Sequence, residues 1–449
     1  MTLRVLLCFY LFSALLGLPS LALGQLKIPT LTTYESGRFL CENKYKDIIA
    51  YEKGFYTEVP LDYSEPNSET TSVYAYFSGG FDPNRPTLLY FTGGPGQTAH
   101  WPPFQSKLNF NVLVMEQRGI GCSKPMNFQQ YLSPDYYSSV AVARDALQII
   151  QKLQISRVSA YGVSYGTVPA TIFASLFPDS TEALVLEGTV FSGDASLWSA
   201  PHRRKILQRM LDTLPAEIKE KLNQITQTKD IPPTWFSVMA RNRLMFNDGV
   251  KDFRDTLMDL MDEEKFKHFL QMTKDFFEPM TVEPHPLFVQ NDIPYFMISC
   301  QEFSLGKSTV STAEALESGS QLVPILDRES QSKCKKLGLK SNRVFSAENY
   351  PVQVPVTYFQ GNHDSATTAP GAIRHFKTVP QKFSQILILK RGGHNPNKQM
   401  LEAEWGQMEI FELALKGQEI PQDLVSQFNE KSDLDWAVAY RHSGPTLSK

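Results

Sequence analysis

Two blocks of this chain share one rhythm: a short apolar run, a Gly-containing loop, then a helical pattern. In the first block, residues 87–91, 111–115, 156–161 and 183–187 read as buried strands, and residues 139–153 and 168–176 as helices. The first of these helices spaces Ala143, Leu147, Ile150 and Leu153 by three or four. Ahead of them, residues 54–63 and 73–77 alternate apolar and polar positions around a Pro66-Asn67 turn. The rhythm resumes with a strand at 354–360, a helix near 369–377, a strand at 384–389 and a closing helix at 400–416. Strands alternating with helices need right-handed crossovers, and so a mostly parallel sheet with helices on both faces. Between the blocks the chain is charged and rich in Met and Phe, with helical stretches at 203–214, 217–226, 234–246 and 251–277. No repeat with a period of roughly 20–50 residues is present, which argues against a solenoid. The expectation is one α/β domain built from residues 25–191 and 345–449, interrupted by a large helical cap at 192–344. The cap's two junctions flank the carboxyl edge of the sheet, where open α/β sheets bind ligands.

Composition narrows the classes of function. With 44 Lys+Arg against 47 Asp+Glu and 42% apolar residues, the chain is neither a basic nucleic-acid binder nor a disordered tail. Residues 1–24 carry Arg4, an apolar run, Pro19 and a small-residue ending at Ala22-Leu23-Gly24, the pattern of a cleaved signal peptide. The expectation is therefore an exported protein, periplasmic or secreted, with no stable membrane insertion once the peptide is removed. Cleavage removes Cys8 and leaves Cys41, Cys122, Cys300 and Cys334, an even number in an oxidising compartment. Two disulfides are expected, in any of three pairings. No spacing is a CxxC pair, so no metal site is expected.

Gly162-Val163-Ser164-Tyr165-Gly166 lies between a strand and a helix. A G-x-S-x-G in that context is a nucleophile elbow: the glycines allow close packing while the serine takes a strained turn that exposes its oxygen. Ser164 is the candidate nucleophile. A serine hydroxyl needs a base, and the base needs an orienting acid. His394, in Arg391-Gly392-Gly393-His394-Asn395-Pro396, follows the strand at 384–389 and is the candidate base. Asp364, in Gly361-Asn362-His363-Asp364 after the strand at 354–360, is the candidate acid. His363 competes for the role of base but abuts the acid. The Gly-rich loop Thr92-Gly93-Gly94-Pro95-Gly96 suits an oxyanion hole, with the backbone amides of Gly94 and Tyr165 as donors. No G-K-[ST] follows it, which disfavours a phosphate loop.

These motifs resemble the α/β-hydrolase serine exopeptidases, the family of prolyl iminopeptidases and secreted bacterial tripeptidyl aminopeptidases. Gly93-Gly94-Pro95-Gly96 matches that family's G-G-P-G loop, Glu116-Gln117-Arg118-Gly119-Ile120-Gly121-Cys122-Ser123 its D-Q-R-G-x-G-x-S segment, and Gly162 to Gly166 its G-x-S-Y-G elbow. Thr92 stands for the usual His and Glu116 for the usual Asp, departures that lie nearer the tripeptidyl branch. The resemblance implies the α/β-hydrolase fold, no cofactor, and peptide substrates with a free amino terminus. It further implies a buried anion for the substrate ammonium: Glu302, in Cys300-Gln301-Glu302, with Glu187 as a second candidate. By the same resemblance Cys300 bonds Cys334, leaving Cys41 with Cys122. The competing expectations are a carboxylesterase or lipase using the same triad, and a catalytically silent binding protein on the same fold.

Overall fold

The structure is a computed structural model that describes residues 54–98, 108–123, 136–193, 212, 214–220, 245–259, 261–268, 271, 292–304, 334–335, 337–364, 366–379, 383–397, 408–432 and 434–443. The expected signal peptide, Cys41 and the helices at 203–214 and 234–246 lie wholly or largely outside these residues.

The first block forms β1 (Gly54–Pro60), β2 (Thr70–Ser78), β3 (Thr87–Phe91), β4 (Asn111–Met115), α1 (Ser139–Lys152), β5 (Val158–Val163), α2 (Thr167–Leu176) and β6 (Thr181–Glu187). Then come α3 (Gly249–Asp259) and α4 (Asp292–Glu302), followed by β7 (Val356–Gly361), α5 (Ala369–Thr378), β8 (Phe383–Leu389), α6 (Met408–Leu415), α7 (Gln422–Ser432) and β9 (Trp436–Ser443). One nine-stranded sheet runs β1-β2-β4-β3-β5-β6-β7-β8-β9. The pairs among β3 to β8 are parallel, while β1, β2 and β9 are joined antiparallel at the two ends.

Side chains alternate across this sheet into two separate cores, as a pleated strand requires. Leu89, Phe91, Leu184 and Tyr358 pack with α1, α2 and α5 on one face. Leu88, Tyr90, Val185 and Phe359 pack with α6, α7 and Trp436 on the other. The α1 helix starts where Ser138 accepts from the Ala141 amide at 3.1 Å, and Thr368 caps α5 ahead of a first-turn Pro.

β6 and β7 are neighbours in the sheet, so the described residues between them are an excursion from it. Its neck is tied by a bridge between Ser192 and Ser346 and by the Gly193 amide donating to the Phe345 carbonyl at 2.8 Å. The helix expected over 251–277 is broken. It ends at Asp259, and the Asp262 carboxylate then caps a new turn by accepting from the Glu264 and Lys265 amides at 2.9 and 3.0 Å. β5 also begins later than expected and runs on through Gly162 and Val163, because these two residues pair with Leu186 and Glu187 of β6. Beyond the closing helix expected to end at residue 416, the chain continues into α7 and the antiparallel edge strand β9, neither of them expected from the sequence.

Candidate active site

Ser164 leaves β5 at a φ of 55°, in the left-handed region that a side chain other than glycine rarely adopts. Two close approaches hold it there. A Cβ on Gly162 would lie 2.4 Å from the Gly166 carbonyl oxygen, and one on Gly166 would lie 2.1 Å from that of Phe91 at the end of β3. Only glycine fits at both places, so strand, helix and neighbouring strand converge on the serine. Strain of this kind, of order 1–3 kcal/mol, persists where the surroundings over-determine it.

The Gly-rich loop after β3 lies beside the elbow. A Cβ on Gly93 would sit 3.4 Å from the Ser164 Cβ, and Gly94 has a φ of 113° with the amides of Gly96 and Gln97 packed 2.7 Å from where its Cβ would be. The Gln117 side-chain amide donates to the Thr92 carbonyl at 3.3 Å and steadies the loop from below. The rest of that motif is scaffold. The buried Arg118 guanidinium donates to Asp145 of α1 at 2.5 and 2.7 Å and to the carbonyls of Pro60, Leu61 and Tyr136, joining β1 to α1.

Asp364 and His394 meet. The His394 Nδ1 lies 3.0 Å from each Asp364 oxygen, and both residues are buried. Asp364 also accepts from the Ala366 and Thr367 amides, from the Thr367 hydroxyl at 2.8 Å and from the Gln360 side chain at 3.1 Å. Burial pushes its pKa up, but the His394 charge and the hydrogen bonds from His394 and Thr367 outweigh this and leave it below the ordinary carboxylate value. The imidazole then reaches back over β7: its Cε1 is 3.2 Å from where a Gly188 Cβ would be, at the end of β6 and beside the β5 that carries Ser164. His363 is half-buried with its pKa lowered by burial, and Asp364 bonds His394 instead.

Glu187 and Glu302 are both buried, and burial raises each pKa to about 7 against the hydrogen bonds each accepts. Glu187, at the end of β6, accepts from the Asn397 amide at 2.9 Å and from the Tyr161 hydroxyl. Its two oxygens therefore hold the end of the His394 loop to the sheet. Glu302, at the end of α4, accepts from the Ser139 amide at 2.9 Å and from the Ser139 hydroxyl, which lies 3.0 Å from the Tyr165 hydroxyl. It lines a cavity of 540 Å³ with Tyr63, Ser138, Arg144, Arg343 and Tyr350. Glu302 is thus linked through Ser139 to the Tyr165 hydroxyl.

Cys300 is bonded to Cys334 with a Cα–Cα distance of 5.7 Å. Cys122 is also disulfide-bonded, while Cys41, expected as its partner, lies outside the described residues. Sequence reasoning missed Gln360, Thr367 and Asn397, whose roles depend on partners distant in the sequence or on the folding of a loop. It also missed His375, fully buried between the Tyr358 hydroxyl at 2.8 Å and the Thr171 hydroxyl at 3.2 Å, with its pKa pushed down to about 4 by burial. Among the described residues there is no cluster of metal-ligating side chains, and no helix long and apolar enough to cross a membrane.

The alpha/beta hydrolase fold family matches residues 86–398, well over half of the sequence, and the chain belongs to that family. It is 34% identical over 164 residues to a proline iminopeptidase of Aeromonas sobria, covering 32% of this chain and 38% of that one. It is 28% identical over 155 residues to the serine hydrolase BPHL of Mus musculus, covering 31% of this chain and 52% of that protein. The matched stretches thus span between about a third and a half of these relatives. Among solved structures, a thermophilic esterase from Thermogutta terrifontis is similar at a TM-score of 0.42 and 16% identity, covering 81% of this chain and 100% of that one.

Proposed function

We propose that this chain is an exported serine aminopeptidase of the prolyl or tripeptidyl type, with residues 192–344 as a cap over the carboxyl edge of the sheet. Ser164 attacks the scissile carbonyl, His394 takes its proton and returns it to the leaving amine, and Asp364 orients His394 and stabilises the imidazolium. The backbone amides of Gly94 and Tyr165 receive the oxyanion, after which water releases the acyl group. The observation that carries the reading is the buried Asp364–His394 pair on the loops after β7 and β8, together with a serine at a φ of 55° after β5. The proline iminopeptidase among the relatives supports a peptide substrate with a free amino terminus. We assign the substrate ammonium to Glu302 and give Glu187 the task of holding the His394 loop.

One observation favours a second reading, ester hydrolysis by the same triad: Ser139 already donates to each Glu302 oxygen, which leaves less of the carboxylate for an ammonium. A panel of chromogenic aminoacyl, prolyl and tripeptidyl amides beside simple esters separates the two readings, using Glu302→Gln as the variant. The peptidase reading expects at least about a tenfold loss confined to substrates with a free amine, as expected when a charge-assisted bond is removed. Turnover of both substrate classes by the variant at the wild-type rate would leave the esterase.

A further inference from the structure

The loop that carries His394 is held on one side by the sheet and on the other by the insertion between β6 and β7. On the sheet side, a Cβ on Gly361 at the end of β7 would lie 2.1 Å from the Gly393 carbonyl oxygen and 2.3 Å from that of Gly392. On the other side, a Cβ on Gly393 would lie 2.4 Å from the carbonyl oxygens of both Met245 and Phe246. The loop is therefore clamped between two backbones, which gives Gly361 and Gly393 their physical reason.

The insertion also satisfies the loop's polar groups. The His394 amide donates to the Met245 carbonyl at 2.7 Å, and the Gly393 amide donates to the Asn247 Oδ1 at 2.9 Å. The Asn247 Nδ2 reaches the Pro396 carbonyl at 3.4 Å, so this one side chain spans the loop on both sides of the histidine. The Asp248 amide donates to the Arg391 carbonyl at 2.9 Å, and their side chains pair at 3.3 Å. Asp248 and Arg391 both take left-handed backbone conformations, with φ of 58° and 61°. Two strained residues that face and bond each other mark a junction set by tertiary contacts rather than by local preference. Without the insertion, the Gly393 and His394 amides would lose their acceptors.

We propose that the Met245–Asp248 turn positions the base, with Asn247 as a positioning residue for His394, so that seating of the insertion sets the imidazole relative to Ser164. This rests on the serine-hydrolase reading above. Asn247 touches no reacting atom. Its effect passes through the loop backbone, where a displacement of about 1 Å costs on the order of 100-fold in rate.

The test compares wild type, Asn247→Ala and Asn247→Asp of the full chain for the rate of Ser164 labelling by a fluorophosphonate across pH, and for kcat and KM on the best substrate of the panel. Asn247→Asp keeps an acceptor for the Gly393 amide while it loses the longer bond to Pro396 and adds a charge to the turn. Asn247→Ala is expected to lower labelling and kcat by about 10- to 100-fold, to leave KM within about twofold and to shift the pH midpoint of labelling, with Asn247→Asp recovering most of the rate. Labelled wild type with Asn247→Ala equal to it in rate and pH midpoint overturns the positioning role alone. A rise in KM with kcat unchanged also overturns it, because the residue would then serve binding. If Asn247→Ala does not fold, Asn247→Asp and Asn247→Ser carry the same comparison, and the inference fails if the serine variant labels at the wild-type rate. Absence of labelling in folded wild type overturns the serine-hydrolase reading itself, and this inference with it.

Discussion

Two neighbouring strands, β6 and β7, each lead to a buried carboxylate that faces the His394 loop, and the two acids are driven in opposite directions. Asp364 follows β7, accepts from five groups including the imidazole, and is held below the ordinary carboxylate range. Glu187 closes β6, accepts from the Asn397 amide and the Tyr161 hydroxyl, and is pushed up to about 7. Both are removed from water, so burial does not distinguish them. The difference is the number of donors and the contact with His394: a dense shell outweighs desolvation at Asp364, and a sparse one does not at Glu187. The first environment suits a group that must stay charged beside a histidine that gains a proton. The second suits a strut.

The strongest way to break this contrast is Asp364→Asn. It keeps the size of the side chain but removes the charge and favours the wrong imidazole tautomer. The expected loss in kcat is on the order of 10⁴-fold with the fold retained, the size seen for this change in a serine protease triad. Turnover within about tenfold of wild type would show that Asp364 is not the orienting acid.

Glu187→Gln tests the other acid through stability. A carboxyl whose folded pKa is raised contributes stability that is fully present below its ordinary value of 4.5 and is lost as the pH rises through about 7. At about 1.4 kcal/mol per unit, wild type should lose up to about 3 kcal/mol across that window. In urea unfolding at pH 5 and pH 8, the glutamine variant should lose correspondingly less. Parallel curves for the two proteins would show that Glu187 is not a buried acid of this kind.

A smaller effect sharpens the comparison from the Asp364 side. Thr367→Val removes the hydroxyl that lies 2.8 Å from Asp364 and 3.2 Å from the His394 Nδ1 while nearly preserving shape. Asp364 contributes stability above its ordinary pKa of 3.8 that is lost as the pH falls through its lowered folded value. With one donor fewer the folded pKa rises toward the ordinary value, so acid unfolding should begin at a higher pH. A loss in kcat of about tenfold, or about 1.4 kcal/mol, should accompany it with KM nearly unchanged. An unaltered acid limb would remove Thr367 from the shell that keeps Asp364 charged.

The elbow and the order of its partners were legible in the sequence because their causes are local or periodic. Glycines that flank a serine between a strand and a helix mark a strained turn, and strands alternating with helices place the loops after β7 and β8 on the same edge as that turn. Glu187 was legible only as an acid at a strand end. Its task became visible once the Asn397 amide, 210 positions away, was seen to bond it. Asn247 carries no local signal, since its bond to the Gly393 amide spans 146 positions and lies inside a stretch that looks like ordinary helical bulk. By itself the sequence determined the fold class, the candidate nucleophile and its order along the chain, because backbone sterics and hydrophobic periodicity act between near neighbours. Only the tertiary structure decided which buried acid stays charged and what holds the histidine loop in place, because desolvation and hydrogen-bond satisfaction depend on everything packed around a group.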